Sequence, residues 1–378
     1  VFQLTPGAEA PAEMNFYFPQ YKAVCMAETV NAGIHNVQTL RGANVRDAKE
    51  WADYLTEAID LFGGDAETLF ITHHWPRFGN GEIKDFIGKQ RDSYKFLHDQ
   101  TVRMMNQGLT PDEIAENLIL PGSLGGEWYN RGFYGSLSHN SKAVYDKYMG
   151  WYNGNPAELN NHIPTERAVR YVAAIGGTDA VMKVAGEAFD AGDYRWSGEL
   201  LQHLVFAEPS YQPGRELLAD SYEQMGYQAE SAIWRNIYLS GAKELRQGGP
   251  DVYEGGQEDY LMNGASDEQI LDLVAVRLLP DRAEGKTLSV NVRFKDTGNA
   301  YNLRLHNSVL TYHKDKLDPD AGTITADRKG FLAVALGFLG KGQAKLLRMV
   351  SEEGDASALQ EIGGMMDKPT LDFNIIEP

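Results

Sequence analysis

The sequence predicts a chain in three parts: an α/β layer, an all-helical segment and a small α+β domain. Short β-rich runs alternate with an amphipathic helix in the first hundred residues, which is typical of an α/β layer. Residues 165–247 have helical spacing, and alternation of apolar and polar residues begins only at 288–294. A chain of 378 residues can hold two or three domains with ample core. The predicted boundaries are 1–108, 109–250 and 251–378.

The first part is predicted to carry polar side chains at the ends of short strands. Residues 1–15 have few helix or strand signals and are predicted to form a loop. Phe16–Phe18 and Lys22–Ala27 flank a Pro-Gln turn as two strands, and Thr68–Thr72 is a third. Between them Val45–Phe62 has apolar residues at helical spacing and ends at two glycines. Loops at strand ends often carry function, so ligand chemistry is expected there.

Helices are predicted to dominate the middle of the chain. Gly81–Asn106 is a long charged helix, and Thr110 begins the next one with a capping box and a proline at the first helical position. Residues 128–140 are rich in glycine and aromatic side chains and are predicted to be a loop, followed by a helix over Lys142–Met149. The helices of residues 165–247 are interpreted as a scaffold or a dimer surface.

The last part is predicted to be a small α+β domain behind a polar linker, Gly248–Gly264. Leu288–Phe294 alternates apolar and polar residues, as a half-buried strand does. The other predicted strands are Tyr301–Leu305, Val309–His313 and Gly322–Ala326, and the predicted helices are Asp267–Val276, Gly330–Leu339 and Ala356–Met365.

The charge and the apolar content exclude some classes of partner. A formal net charge of −18 disfavours nucleic acid and anionic membrane surfaces. An anionic substrate would therefore need local positive charge from metal ions or a few arginines. The longest apolar run, Phe331–Leu339, is too short to span a bilayer. Cys25 is the single cysteine, so no internal disulfide forms. Cysteine usage therefore does not indicate whether the protein works in an oxidising or a reducing compartment.

Carboxylates, imidazoles and guanidiniums occur near one another in the sequence of the first seventy-odd residues. Carboxylates and imidazoles are ligands for zinc or a similar divalent ion, whereas a guanidinium suits a tetrahedral oxyanion. A metal beside an oxyanion clamp indicates a hydrolase for sulfate or phosphate esters. The candidates are Glu9, Glu13, Glu28, His35, His73, His74, Arg41 and Arg46.

Long motifs along nearly the whole chain resemble those of one family. In order they are PGAEAPAE, CMAE, HNVQTLRGA, HHWP, QRDSYKFLHDQT, RGFYGSLSHN and YMGWYNGNPAEL. With these motifs the chain resembles the bacterial alkyl sulfatases, which belong to the metallo-β-lactamase superfamily and hydrolyse alkyl sulfate detergents such as dodecyl sulfate.

The resemblance implies a specific identity for each predicted domain. Residues 1–108 would be the C-terminal part of a metallo-β-lactamase-like catalytic domain, a partial αββα layer. Residues 109–250 would be a helical dimerisation domain that forms a homodimer, and 251–378 would be a domain similar to sterol-carrier proteins. The family also implies two zinc ions per subunit, and a periplasmic or secreted location.

The resemblance also implies part of a metal centre. The family's ligands in the PGAEAPAE, MAE and HHWP segments fall here on Glu9, Glu28 and His73. The family's principal zinc motif, H-x-H-x-D-H, is absent from this sequence and in the family lies upstream of PGAEAPAE. We therefore expect an upstream N-terminal segment of the same protein to supply the remaining ligands.

Other polar residues receive substrate and proton-transfer roles. Arg41, with Asn36 and Arg46, is predicted to bind the sulfate, although Arg46 could equally be a solvated residue at a helix start. His139 and His35 are the candidate proton donors for the departing group. A helix N-terminal role for His139, and a plain loop role for His35 and Asn36, are the alternatives.

The sequence thus predicts a zinc-dependent alkyl sulfatase. It would hydrolyse dodecyl sulfate-like esters to alcohol and sulfate with metal-activated water, provided that the upstream ligand segment is present. The alternative is a non-catalytic, amphiphile-binding dimeric scaffold that lacks a complete metal centre. Bound zinc and hydrolysis of dodecyl sulfate distinguish the two hypotheses.

Overall fold

The computed structural model describes residues 1–249, 264–368 and 373–378. It divides the chain into two compact units. The first comprises Val1–Gly249 and the terminal Asn374–Pro378, and the second comprises Pro250–Phe373. Most of the predicted linker, Gly248–Gly264, lies outside the described residues.

A five-stranded sheet forms the first part of the first unit. Its strands lie side by side in chain order, with β3 and β4 parallel and the other neighbours antiparallel. The strands are β1 (Phe2–Leu4), β2 (Met14–Phe18), β3 (Ala23–Cys25), β4 (Thr68–Phe70) and β5 (Arg77–Phe78). Two of them, β1 and β5, were not predicted; β1 lies within the segment expected to be a loop.

Two helices cover one face of this sheet. Helix α1 (Ala48–Phe62) begins at Asp47, whose carboxylate accepts hydrogen bonds from two backbone N–H groups of the first turn. Helix α2 (Asn80–Met105) is 26 residues long. Alternate strand residues such as Val24 and Leu69 are fully buried against them in one core.

The opposite face of the sheet is apolar and exposed. Pairing places these side chains in rows across the strands, with Phe2 opposite Phe16 and Thr68 opposite Phe78. Exposed fractions range from 38% to 70% among the large side chains of this face, Phe2, Leu4, Phe18, Phe70 and Phe78. An apolar patch of this size on a sheet face is typical of a surface that packs against another element.

Helices form the remainder of the first unit, as predicted. They are α3 (Pro111–Asn117), α4 (Gly122–Gly125), α5 (Leu137–Met149), α6 (Pro164–Ile175), α7 (Thr178–Asp190), α8 (Tyr194–Ala207), α9 (Gln212–Gln228) and α10 (Ala232–Gln247). The capping box at Thr110 is present. Helix α5 begins five residues earlier than predicted because the Ser136 hydroxyl caps it by accepting from the His139 N–H.

The last residues of the chain are bound to helices α9 and α10. The Arg215 guanidinium donates to both carboxylate oxygens of Glu377, and also to the carbonyls of Pro209 and Leu245. Both side chains of this ion pair are nearly buried, with 14% and 9% exposed. The terminus is therefore anchored by a bidentate, charge-assisted pair.

We expect Glu377→Gln to lower the free energy of unfolding of the first unit by about 2 kcal/mol, since a buried cation loses its counter-charge. Urea unfolding followed by tryptophan fluorescence measures the change. Glu216→Gln, at an exposed position on α9, is the control. Equal stability of the two variants would contradict the anchoring role.

The second unit contains a mixed five-stranded sheet in the order β10-β9-β6-β7-β8, with β6 and β9 parallel. Its elements are α11 (Asp267–Ala275), α12 (Pro280–Ala283), β6 (Leu288–Phe294), β7 (Ala300–His306), β8 (Val309–Lys314), β9 (Thr323–Ala326), α13 (Arg328–Ala335), α14 (Lys341–Leu346), β10 (Val350–Glu353) and α15 (Ser357–Gly363). One core joins the sheet to α11, α13 and α15. Helix α13 ends earlier than predicted because Gly337 turns with a positive φ of 73°.

The predicted order of an α/β layer, a helical segment and a C-terminal part with a sheet is confirmed. Strand β10 was not predicted. Among the described residues, no helix has the length and the apolar character that crossing a bilayer requires.

Candidate functional site

The parallel pairing of β3 and β4 brings two of the predicted ligands together. Cys25 lies opposite Phe70 at the carboxyl ends of these strands. Glu28 and His73 each follow three residues later, so both lie at the same edge of the sheet. His73 Nε2 is 2.9 Å from Glu28 Oε1.

Glu28 lies between two imidazoles. Its other carboxylate oxygen, Oε2, is 3.1 Å from His35 Nε2. Hydrogen bonding to His35 first, and to His73 next, outweighs burial and holds the pKa of Glu28 at about 2. Each oxygen of one ionised carboxylate therefore faces a different imidazole nitrogen.

Two further carboxylates, those of Glu9 and Glu13, lie near Glu28. One ligand atom from each of Glu9, Glu28 and His35 lies within 4.8 Å of the others. Glu13 accepts a hydrogen bond from the Glu28 backbone N–H at 3.1 Å. Burial, and then the neighbouring Glu9 and Glu28 carboxylates, raise the pKa of Glu13 to about 7. Three neighbouring carboxylates, one with a raised pKa, form a set of oxygen donors that favours a bound cation.

The tautomer of His35 follows from its partners. Nδ1 is 3.0 Å from the Asn36 carbonyl oxygen, which can only accept, so Nδ1 carries a proton. Nε2 then faces the Glu28 carboxylate, which also only accepts. This contact requires a second proton on Nε2 or a cation beside it. The ring is buried and fixed edge-on against Tyr134.

These groups line a cavity of about 460 Å³. Glu9, Glu28, His35 and His73 all border it, together with Arg41. The exposed Arg41 side chain is oriented by the Tyr134 hydroxyl, which accepts from Nη1 at 3.2 Å. A guanidinium directed at the same cavity as the carboxylate and imidazole ligands provides positive charge for an anionic substrate.

Arg46 and Asn36 do not have the sulfate-binding geometry that the sequence predicts. The Arg46 guanidinium is 11% exposed and donates to the Glu9 carboxylate at 2.6 Å, to the Glu9 carbonyl and to Asn36. Asn36 is buried and accepts from Arg46 with both its carbonyl and its side-chain oxygen. Because its donors are engaged by protein acceptors, Arg46 positions Glu9 instead of binding an oxyanion.

His139 is likewise not placed as a proton donor. The Trp234 indole N–H donates to Nδ1 at 2.9 Å, so the proton must lie on Nε2, which donates to the Gln38 carbonyl at 2.7 Å. Burial lowers the pKa of His139 and keeps the ring neutral. Neither nitrogen is available to a substrate, and the residue does not border the cavity.

His139 and its neighbour Asn140 instead fix the loop that carries His35. Asn140 donates to the His35 carbonyl and accepts from the Val37 N–H, each at 2.9 Å. Together with the His139–Gln38 hydrogen bond, these contacts join the start of α5 to residues 35–38. Residues 138–140, the SHN of the RGFYGSLSHN motif, therefore position the loop that carries His35.

We expect His139→Ala to lower the free energy of unfolding by about 2 kcal/mol or more, since the Trp234 N–H and the Gln38 carbonyl lose their partner in a buried place. Thermal or urea unfolding gives the value. His162→Ala, at an exposed position, is the control and should change little. A His139 variant as stable as the control would contradict the supporting role.

The sequence did not single out Tyr134, although it lies within the quoted RGFYGSLSHN motif. It binds Arg41 and contacts His35 at 4.7 Å between ring centroids. The neighbouring Gly135 was an available signal: a Cβ there would lie 2.7 Å from the His35 carbonyl oxygen, so only glycine permits this approach. His74 also borders the cavity, with a buried Nδ1 that has no partner among the described residues.

The residues present fit the zinc that the family resemblance implies. Zinc prefers carboxylate oxygen and imidazole nitrogen in sites of this kind. Here the Glu28 oxygens face two imidazoles, Glu9 is fixed nearby by Arg46, and a third carboxylate, Glu13, lies close enough for its pKa to be raised.

Two family descriptions match this chain. "Alkyl sulfatase dimerisation" matches residues 110–248, and "Alkyl sulfatase C-terminal" matches residues 257–378.

Curated relatives include three sulfatases. The alkyl/aryl-sulfatase BDS1 of Saccharomyces cerevisiae is 43% identical, and the (R)-specific secondary-alkylsulfatase of a Pseudomonas species is 41% identical. Both matches cover 100% of this chain but only 58% and 57% of the relatives. The chain thus spans less than three fifths of their length. The linear primary-alkylsulfatase of Pseudomonas sp. strain ATCC 19151 is 31% identical over 95% of this chain and 70% of its own.

A solved structure has the same fold. The stereoselective inverting sec-alkylsulfatase Pisa1 from Pseudomonas sp. superposes with a TM-score of 0.95 at 41% identity, over 100% of this chain and 60% of that protein. On the family matches, the relatives and this structural likeness, the chain belongs to the alkyl sulfatase family.

Proposed function

We propose that this chain provides part of a zinc-dependent active site that hydrolyses alkyl sulfate esters, such as dodecyl sulfate, to an alcohol and sulfate. The observation that carries the proposal is the Glu28 carboxylate, whose two oxygens face His73 and His35 beside Glu9. Arg41 borders the same cavity. Membership of the alkyl sulfatase family supports the substrate class.

Glu9, Glu28 and His73 would hold the metal. Zinc in this place would act as a Lewis acid towards water and the sulfate oxygens. Arg46 fixes Glu9 through its guanidinium and keeps this ligand in place.

Two residues of this chain would act on the substrate. Arg41 would bind the sulfate oxygens and offset their charge as the ester bond breaks. His35 would donate a proton to the departing group from Nε2 once Glu28, now 3.1 Å from that nitrogen, holds the metal instead, because Nδ1 is committed to the Asn36 carbonyl. Tyr134 orients both residues, through its hydroxyl and through its ring.

The exposed apolar face of the sheet supports a further element of the proposal. Phe2, Phe18, Phe70 and Phe78 lie on the face opposite to α1 and α2. We propose that an upstream segment of the same protein packs there and brings the remaining zinc ligands to the cavity. A second layer on this face would give the αββα arrangement that the resemblance implies.

The other parts of the chain would serve assembly and substrate capture. The match to the dimerisation family over residues 110–248 supports a homodimer through the helices. The second unit would collect alkyl chains, as the resemblance to sterol-carrier proteins implies. Its exposed apolar side chains, Val276, Phe338, Leu346 and Leu347, support that role.

The test is metal analysis and hydrolysis by the native, full-length protein. About two zinc ions per subunit and release of sulfate from dodecyl sulfate, lost on chelation and restored by zinc, are expected. Protein that binds dodecyl sulfate but holds no metal and releases no sulfate would establish a non-catalytic amphiphile-binding scaffold instead.

A further inference from the structure

Arg41 also borders a second cavity, of about 420 Å³. Five aliphatic side chains line it, from the loop after Asn36, from helix α10 and from the C-terminal residues: Leu40, Ile233, Ile237, Ile375 and Ile376. Leu40, Ile237 and Ile375 are between 45% and 68% exposed. We call this cavity the aliphatic groove.

We infer that the aliphatic groove binds the alkyl chain of the ester whose sulfate group lies at Arg41; this inference rests on the proposed function. Arg41 borders both the aliphatic groove and the cavity that contains Glu9, Glu28 and His73. An ester whose sulfate group binds the Arg41 guanidinium thus has an apolar surface beside it for its alkyl chain. Binding sites of mostly apolar lining with one charged anchor suit such an amphiphile.

The C-terminal residues form a fixed wall of the groove. The backbone N–H groups of Ile375 and Ile376 both donate to Glu244 Oε1 at 2.7 Å. Gly241 allows this close approach, because a Cβ there would lie 3.3 Å from the Ile376 side chain. Together with the Glu377–Arg215 pair, these contacts hold both isoleucines against α10 before any ligand binds.

The polar lining of the groove is compatible with an uncharged chain. The Glu244 carboxylate is almost buried and its Oε1 accepts two backbone hydrogen bonds. The remaining polar residues of the lining carry no charge: Asn36, Thr39, Asn236 and Ser240. Apart from Arg41, the described lining offers no cation for a second anionic group. The groove therefore suits the hydrocarbon part of the ester.

Calorimetric titration of the native, zinc-loaded protein with butyl, hexyl, octyl and decyl sulfate, below their micelle concentrations, tests the inference. Burial of each methylene should improve the Kd about fourfold.

Two variants change the groove itself. Ile237→Asn makes the groove polar, and Ser240→Phe fills it; both positions are exposed, so folding should persist. Each variant should weaken decyl sulfate binding about tenfold and leave butyl sulfate nearly unchanged. Val184→Asn, at an exposed apolar position on α7, is the control.

The outcomes separate the inference from the proposed function. Decyl sulfate binding that is unchanged in both groove variants would overturn the inference, since the alkyl chain would then bind elsewhere. Release of sulfate from the same ligands, measured in parallel, tests the hydrolase proposal. Chain-length dependence that is lost in the variants supports the groove whether or not sulfate is released.

Discussion

Glu28→Gln in the native, full-length protein is expected to lower bound zinc from about two ions per subunit to about one or fewer, and kcat/KM for dodecyl sulfate about a thousandfold. The pKa of about 2 means that Glu28 is ionised throughout the working pH range. The amide keeps the size of the side chain but removes its charge. It also presents an NH2 group to one of the two imidazoles, where a metal ligand requires a lone pair.

Metal content measured by mass spectrometry after desalting, together with sulfate release, distinguishes loss of the metal from loss of fold. Glu187→Gln, at an exposed position on α7, should retain both metal and activity. Thermal unfolding of the two variants should be similar when both are stripped of metal. A Glu28 variant with two zinc ions and full kcat/KM would exclude Glu28 as a metal ligand.

The metal-ligand candidates could be predicted from the sequence, but the contact between them could not. Glu28 and His73 each follow a short β-rich run, which is a local signal. Their contact depends on the parallel pairing of β3 and β4, which joins residues 45 positions apart in the sequence. This is a non-local property that strand propensity does not encode. The residue pattern grouped Glu28 and His73 with six other candidates, and the family resemblance then selected them, with Glu9, as the metal ligands.

The roles of Arg46 and His139 were less predictable. Arg46 donates to Glu9, 37 residues away, and His139 donates to a carbonyl 101 residues away. An arginine or a histidine in a loop has the same local pattern whether its donors face a substrate or a buried protein acceptor. The distinction follows from tertiary contacts, which decide whether any donor remains for a ligand.

The fold shows the same division between local and non-local signals. The amphipathic helix α1 and the capping box at Thr110 are encoded in neighbouring residues, and the structure contains both. Strand β1 has only three residues and was missed, because its pattern is too short to distinguish from a loop. It exists through its pairing with β2, which places Phe2 opposite Phe16.

Arg41→Ala is expected to reduce kcat/KM for alkyl sulfates about a hundredfold while zinc content is unchanged. The guanidinium borders the cavity and donates to Tyr134, but contacts none of Glu9, Glu28 and His73 in the hydrogen bonds described. Its removal should therefore spare the metal ligands. Because the charge on the sulfate oxygens rises as the ester bond breaks, kcat should fall as well as KM rise.

Arg41→Lys and Tyr134→Phe refine the role of the guanidinium. Lysine restores the charge but not the planar, bidentate donor set, so it should recover only part of the loss. Phenylalanine removes the hydroxyl that orients Arg41 and should cost less than the loss of the guanidinium itself. Arg170→Ala, at an exposed position on α6, controls for the overall loss of one positive charge. If Arg41→Ala changed neither kcat nor KM, or if it released zinc, Arg41 would not be the sulfate-binding residue, since a clamp must act on the ester and not on the metal.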